Sequence, residues 1–281
     1  MIPAPFEYVR ADDAEAALAA LSEHGDEAKL LAGGQSLLPL MKLRLAVPAV
    51  VVDVSRAATL DYVRDNGASI AIGALTRHAT VASDATLSRD LPLLAHAARL
   101  VGDPQVRHRG TIGGSVAHAD PSADLPTALL ALGASYVVNG PSGARTVTAD
   151  DFGTGFLETV LQPDEMLTEV RVPKPQQGLD GSGWGYEKFT RRAIDWATVA
   201  VAAVRRADGT VAVALANMGP TVLRARGVEQ AIAAGSGSVD AAAHADAETE
   251  PAADVTASAD YRRHLARILT ARALDRCLTG N

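Results

Sequence analysis

Two short segments pair adjacent glycines with hydroxyl or amide side chains: Ala32-Gly33-Gly34-Gln35-Ser36 and Gly110-Thr111-Ile112-Gly113-Gly114-Ser115. A glycine pair permits positive φ and lets the backbone come close to a ligand. Successive backbone N–H groups in such conformations form concave donor sites for anionic oxygens. Ser36, Thr111 and Ser115 add hydroxyl donors. A dinucleotide's pyrophosphate needs several donors at once, and two separate loops can clamp it from two sides. Taken singly, each Gly-Gly has a plainer reading as a tight turn at a strand end. Neither segment has the G-x-G-x-x-G spacing, which disfavours a nicotinamide-binding Rossmann site.

The other chemistry-bearing residue types form no site by spacing. The seven histidines are scattered and show no H-E-x-x-H or comparable ligand pattern. His118 is the only one that falls inside a motif, where it reads as a packing or hydrogen-bonding residue. Cys277 is the single cysteine. One cysteine cannot hold an iron–sulfur cluster or a cysteine-based zinc site, and it excludes an internal disulfide framework, so a reducing compartment is expected. No catalytic triad and no metal site are expected on this chain. A net charge of −7 argues against nucleic acid as the main partner. The start, Met1-Ile2-Pro3-Ala4-Pro5, lacks a basic stretch and an apolar core, so no signal peptide is expected. No run of eighteen apolar residues is present, so no membrane span is expected and the localisation predicted is cytoplasmic.

The elements that must position the two glycine segments can be read from periodicity. The chain has 281 residues, 48% of them hydrophobic, enough for two or three compact lobes. Asp12 and Asp13 precede an apolar stripe at Ala14, Ala17, Leu18 and Leu21, closed by Gly25, which predicts a capped helix. Lys29 to Ala32 reads as a strand that ends at Gly33-Gly34. Val50 to Val54 and Ser69 to Gly73 are further strands by their β-branched and apolar content. Helices are predicted over Thr76 to Leu87, Leu91 to Val101 and Asp124 to Leu132, and strands near 134–138 and 168–172. Such interleaving points to α+β or α/β architecture. From Pro173 to Gly185, six prolines and glycines (Pro173, Pro175, Gly178, Gly181, Gly183 and Gly185) predict a linker. Beyond it, Trp184 to Phe189, Thr198 to Val204 and Thr210 to Ala216 predict a small antiparallel sheet. Helices follow at about 222–234 and 259–278, with a surface loop around a short helix over 235–258.

The longer wording around the glycines resembles a known family. Ala32-Gly33-Gly34-Gln35-Ser36-Leu37-Leu38-Pro39-Leu40-Met41-Lys42 is similar to the first FAD-binding loop of molybdenum hydroxylase flavoproteins. Asp103-Pro104-Gln105-Val106-Arg107, running into Thr111-Ile112-Gly113-Gly114-Ser115 and on through His118-Ala119-Asp120-Pro121-Ser122-Ala123-Asp124-Leu125-Pro126, resembles the second. The likeness extends through Glu187-Lys188 and Asp195-Trp196-Ala197 to Tyr261-Arg262-Arg263-His264-Leu265, and it points most strongly to the medium subunits of aerobic carbon monoxide dehydrogenases. Gln35 and Ser115 stand where the family commonly has His and Asn, and both keep a hydrogen-bonding group.

The resemblance implies an α+β chain. Residues 1–175 would be an FAD-binding domain of the vanillyl-alcohol-oxidase (PCMH) type, with subdomains of about 1–55 and 56–175. Residues 176–281 would be a C-terminal α+β domain. It implies that Ala32, Gly33, Gly34, Gln35, Ser36, Thr111, Ile112, Gly113, Gly114 and Ser115 hold the FAD phosphates and part of the flavin, with Gly102 close by. Asp124 would contact the cofactor; on sequence alone it reads equally as an acid at a helix N-terminus. Leu167 would offer its backbone to the adenine end, or be ordinary strand core. Lys188 would lie near the flavin's pyrimidine edge, or be a solvated strand lysine. Trp196 would cover one face of the isoalloxazine, or be a core tryptophan. No His or Cys is placed as an attachment point, so FAD is expected to be non-covalent. The implied partners are a large molybdenum-cofactor subunit and a small [2Fe-2S] subunit, as a dimer of heterotrimers. Electrons would pass from the clusters through this FAD to a quinone, NAD or another acceptor. The competing readings are a stand-alone FAD oxidase or reductase of the same fold superfamily, and a non-redox nucleotide-binding module.

Overall fold

The computed structural model describes residues 2–174, 183–206 and 208–279. Three sheets carry the chain. In the first, β1 (Glu7–Arg10) and β2 (Ala28–Leu31) flank β3 (Val50–Asp53), both parallel to it. Helix α1 (Ala14–His24) makes the crossover from β1 to β2, as its sequence signals predict. Asp13 caps it by accepting from Ala16 N at 2.8 Å, and Gly25 ends it at φ +52°. Val50 and Val52 bury against Ala17 and Leu21, giving the short sheet its core. Helix α2 (Leu37–Lys42) connects β2 to β3.

The second sheet is antiparallel. Its strands are β4 (Val63–Asp65), β5 (Ser69–Gly73), β6 (Ser135–Gly140), β7 (Gly143–Thr148) and, after a two-stranded hairpin of β8 (Gly153–Gly155) and β9 (Glu158–Thr159), β10 (Met166–Pro173). Their order is β4-β5-β10-β6-β7. A run of short helices fills the span between β5 and β6. These are α3 (His78–Ser83), α4 (Ala85–Asp90), α5 (Pro92–Arg99), α6 (Pro104–Arg109), α7 (Ile112–His118) and α8 (Asp124–Leu132). A single turn of helix, α9 (Ala149–Phe152), joins β7 to the β8–β9 hairpin. The helix predicted over Thr76 to Leu87 is two helices in the structure. Thr76 is held outside by its hydroxyl bond to the Tyr62 carbonyl, and Asp84 interrupts the run to cap α4, accepting from Leu87 N at 2.9 Å. Strand β7 escapes the periodicity reading because it is an edge strand with mostly exposed residues; nothing on it alternates between core and solvent.

The third sheet is an antiparallel meander of β11 (Trp184–Phe189), β12 (Val199–Arg205), β13 (Val211–Ala216) and β14 (Leu223–Arg224). Helices α10 (Arg226–Ala233), α11 (Ser238–Ala242) and α12 (Ala259–Thr279) follow. The alternation along β12 and β13 assigns each face. Val199, Val201, Val213 and Leu215 pack with Leu265, Leu269 and Leu274 of α12, whereas Ala200, Ala202, Ala214 and Ala216 join the core that holds Leu125 and Leu129 of α8. The alanine face lets α8 lie close, so the core of the second sheet continues into the third.

The breaker-rich stretch divides differently from the expected linker. Pro173 is the last paired residue of β10, opposite Ser69, and Gly185 lies inside β11, opposite Ala203. A Cβ at Gly183 or Gly185 would run into the backbone carbonyls of Cys277 or Ala273 on α12. These two glycines permit close helix–strand packing and do not break the chain. Pro175, Gly178 and Gly181 lie outside the described residues. Among the described residues no helix is long and apolar enough to cross a membrane.

Candidate functional site

The first glycine segment joins β2 to α2. Gly34 has φ +75°, which an L side chain rarely adopts. Gly33 is buried because the backbone of Arg109 and Gly110 lies directly on it; a Cβ there would collide with the Arg109 carbonyl. The two segments, some 75 residues apart in sequence, are thus in backbone contact. Among the described residues the N–H groups of Gly33, Gly34, Gln35 and Ser36 donate to no backbone acceptor. Ser36 occupies the N-cap position of α2 without making a side-chain cap bond. A loop with consecutive uncommitted amides at a helix start fits a phosphate.

The second segment is not the turn its glycines suggest. Thr111 is the N-cap of α7, and Ile112 to Ser115 form its first turn. Their amides are committed within the protein. Ile112 N donates to Thr76 O at 3.0 Å, Gly113 N to Ala74 O at 2.8 Å, Gly114 N to Thr111 Oγ1 at 3.1 Å and Ser115 N to Thr111 O at 3.0 Å. Gly113 is required by its own fold, since a Cβ would press on Ala74 backbone at 2.6 Å. Gly114 differs: it is exposed, and a Cβ there would meet only Thr111 Oγ1, at 2.7 Å. The space beyond is open, a cradle that any larger side chain would fill. The residues present therefore fit FAD unequally. The first loop offers amides, while the second offers a bare Gly114 surface and the partly exposed Ser115 hydroxyl.

Residues outside the sequence-derived set hold this junction. Arg77 Nη1 donates to Arg109 O at 2.5 Å, and Arg77 forms an isolated bridge with Thr111. Burial and the neighbouring Arg109 charge hold the Arg77 guanidinium below its usual value, so two cations crowd the loops of an otherwise acidic chain. Arg107 Nη1 donates to the carbonyls of Val101 (2.9 Å) and Gly102 (3.0 Å), fixing Gly102 at φ +46°.

His78 packs its ring on Gly110, and His78 N donates to Gly110 O at 2.9 Å. Its Nδ1 has no partner among the described residues. Burial, then the charges of Arg77 and Arg107, push its imidazole down to about 4. The ring is neutral in the fold, whereas the unfolded chain takes up a proton there as pH falls through 6.5. Stability is therefore undiminished above about pH 6.5 and is lost as pH falls towards 4. A displacement from 6.5 to about 4 corresponds to roughly 3 kcal/mol. Urea midpoints of wild type and His78→Gln, measured from pH 7 to 4, are expected to show a steeper acid loss in wild type; parallel curves would remove His78 as the cause.

Asp124, at the start of α8, and Lys188, on β11, meet in a buried pair: Lys188 Nζ lies 2.8 Å from Asp124 Oδ2, with side chains 8% and 7% exposed. Lys188 also donates to Leu100 O at 3.1 Å, and Tyr186 OH donates to Asp124 Oδ1 at 2.6 Å. The solvated-lysine alternative is overturned. Both oxygens of Asp124 are engaged inside the protein, and burial pushes its carboxyl up, against the pull of Lys188 and its hydrogen bonds. Tyr186 was absent from the sequence-derived set, although the strand period could have found it: two residues before Lys188, it shares Lys188's face.

Leu167 buries its side chain in the core. A bulge follows it, and pairing with β5 begins only at Glu169, so the strand edge at Met166 and Leu167 is not covered by β5. Trp196 is 69% exposed, which rules out the core-tryptophan alternative. It stands on the β11–β12 connection after Ile194, a β-branched residue at φ +71°. That connection is tied to the second motif: Asn217 Nδ2 donates to Ala197 O at 2.8 Å, and Asn217 N to Pro121 O at 2.7 Å. Cys277 is buried and its thiol is pushed up to about 12, so it is no nucleophile. Among the described residues no group of three His, Cys, Asp or Glu could hold a metal ion.

Known proteins share the sequence and the fold of this chain. Residues 4–175 match the family described as the FAD binding domain in molybdopterin dehydrogenase, and residues 184–277 match the CO dehydrogenase flavoprotein C-terminal domain. The chain is 44% identical over 283 residues to the carbon monoxide dehydrogenase medium chain of Hydrogenophaga pseudoflava, covering 98% of each. It is 38% identical to the 6-hydroxypseudooxynicotine dehydrogenase complex subunit alpha of Paenarthrobacter nicotinovorans, covering 99% of this chain and 96% of the other. A solved structure of carbon monoxide dehydrogenase from Hydrogenophaga pseudoflava superposes with a TM-score of 0.92 at 43% identity, over 99% of this chain and 98% of that one. The chain therefore belongs to the FAD-binding family of molybdopterin dehydrogenases, oxidoreductase subunits whose C-terminal part is of the CO dehydrogenase flavoprotein type.

Proposed function

We propose that this chain is an electron relay. In this reading it takes electrons from the [2Fe-2S] clusters of a small subunit that is in turn served by a large molybdenum-cofactor subunit. It passes them to a quinone, NAD or another acceptor, in the cytoplasm, within a dimer of heterotrimers. Residues 1–175 are the FAD-binding domain, divided at about residue 55, and 176–281 the C-terminal domain. The observation that carries the reading is the contact of Gly33 with Arg109, which seats the uncommitted amides of Gly33 to Ser36 on the backbone that leads into the helix carrying the exposed Gly114.

FAD, when bound, supplies redox chemistry that accepts electrons singly and releases them in pairs. The chain's own residues do the rest. The amides of Gly33, Gly34, Gln35 and Ser36 bind the pyrophosphate, with Ala32 at the loop's entry. Gly114 and Ser115 bound it from the other side, and Thr111, Ile112 and Gly113 keep that helix start in place. Gly102 lines the approach and the free strand edge at Leu167 receives the adenine end. Lys188, oriented by Asp124, places a cation at the pyrimidine edge, where it favours negative charge on the reduced ring. Trp196 covers one ring face and excludes water. The substrate is set by the molybdenum subunit, because relatives of similar likeness are named for compounds as different as carbon monoxide and a pyridine alkaloid derivative.

The binding is non-covalent. Acid precipitation of the purified protein is expected to leave yellow FAD in the supernatant. Flavin retained by the precipitated chain contradicts the binding mode, and a colourless preparation contradicts the cofactor.

A further inference from the structure

Three side chains from two distant parts of the chain close on one another beside the Leu100 carbonyl, two residues before Gly102. Tyr186 OH donates to Asp124 Oδ1 at 2.6 Å, and Lys188 Nζ donates to Asp124 Oδ2 at 2.8 Å and to Leu100 O at 3.1 Å. Tyr186 is 3% exposed and Asp124 6%. The tyrosine ring has little freedom to turn away: it lies edge-on to His96, with centroids 6.0 Å apart, and β11 is paired with β12 along its length. A buried carboxylate with one cation partner would neutralise most of that cation's field at short range. Here a second donor competes for the same carboxylate. A short O–H···O⁻ bond is among the stronger hydrogen bonds, and it draws negative charge towards Oδ1, away from the oxygen that faces Lys188.

We propose that Tyr186 is a positioning residue for the flavin: by its hydrogen bond to Asp124 it sets how much of the Lys188 charge is left uncompensated, and through that the reduction potential of the bound FAD. This rests on the reading that Lys188 stands beside the isoalloxazine. With the phenol in place, Lys188 is the less neutralised and the reduced, more negative ring is the better stabilised. Without it, the full carboxylate charge falls on Lys188 and the potential drops.

The test is spectroelectrochemical titration of FAD-loaded full-length protein in three forms besides wild type. Tyr186→Phe is expected to lower the midpoint potential. Replacing Tyr186 by 3-fluorotyrosine, a more acidic phenol of nearly the same size, is expected to raise it. Lys188→Met is expected to lower it and reports on the underlying reading. Opposite shifts for the phenylalanine and fluorotyrosine forms support the proposal, since a purely structural role gives no reason for a sign change. If Tyr186→Phe loses FAD through misfolding, the fluorotyrosine form decides alone. An unchanged potential in the fluorotyrosine form, with Lys188→Met shifted, overturns the role of Tyr186 and leaves the placement of Lys188 standing. An unchanged potential in Lys188→Met overturns that placement and the proposal with it.

Discussion

Gly33→Val is expected to leave the protein without flavin and measurably less stable, whereas Gly114→Val is expected to lose flavin from a fold that persists. The difference follows from what each Cβ meets. At Gly33 it meets the carbonyl of Arg109, a backbone atom that cannot rotate away. The first loop must separate from the 109–110 backbone, at a cost of roughly 1–3 kcal/mol for overpacking. The amides of Gly33 to Ser36 lose the position that the Arg109 and Gly110 backbone gives them. Losing two hydrogen bonds to a charged phosphate, at about 1.5–3 kcal/mol each, weakens binding by about 100-fold or more. At Gly114 the side chain instead enters open space and disturbs only the Thr111 cap, which is worth about 0.5–2 kcal/mol. Flavin-to-protein ratios from absorbance and unfolding midpoints from circular dichroism separate the two cases. Full flavin content in both variants would refute the assignment of the loops. Equal destabilisation of both would refute the distinction between them.

The isolated chain is expected to hold FAD and yet oxidise neither carbon monoxide, aldehydes nor purines. Its one cysteine is buried with a thiol that stays protonated, and among the described residues no set of side chains could ligate a metal ion. Asp124 and Lys188, the buried charges assigned to the proposed flavin site, are committed to each other. None of these residues offers a free acid or base to a substrate. Adding the molybdenum and iron–sulfur subunits is expected to restore substrate-dependent bleaching of the flavin absorbance. Turnover of any of these substrates by the chain alone, at a typical enzymatic rate of roughly 1–1000 per second, would replace the relay by a stand-alone oxidase.

Much of the local structure was legible because its signals are local. The cap at Asp13, the stop at Gly25, the β-branched run of β3 and the long C-terminal helix each depend on residues a few positions apart, and each stands where periodicity places it. Other short elements were not legible. Helix α6, of six residues, and the exposed edge strand β7 bury too little of one face to impose a period on their sequence. The glycines misled in two opposite ways. Gly113 and Gly114 read as a turn but open a helix, because Thr111 supplies the cap that two poor helix formers need. Gly183 and Gly185 read as linker but lie against α12, because a glycine that admits a neighbouring backbone looks the same in sequence as one that bends the chain.

By itself the sequence determined the α+β character, the two glycine segments and the wording that marks the family. It also supplied the absence of cluster-forming cysteines, a matter of composition alone. Only the tertiary structure decided what the marked residues do. Nothing in the order of residues says that Gly33 lies on Arg109, that the amides of Ile112 to Ser115 are already committed, or that Asp124 is shared by Tyr186 and Lys188, 62 and 64 positions away. The physical reason is that a sequence period reports which face of an element avoids water, whereas the partner on that face is chosen by how all the elements fill one core. Lys188 shows the consequence most directly. Its type predicts a solvated surface, and it is buried because α8 delivers a carboxylate to its ammonium group.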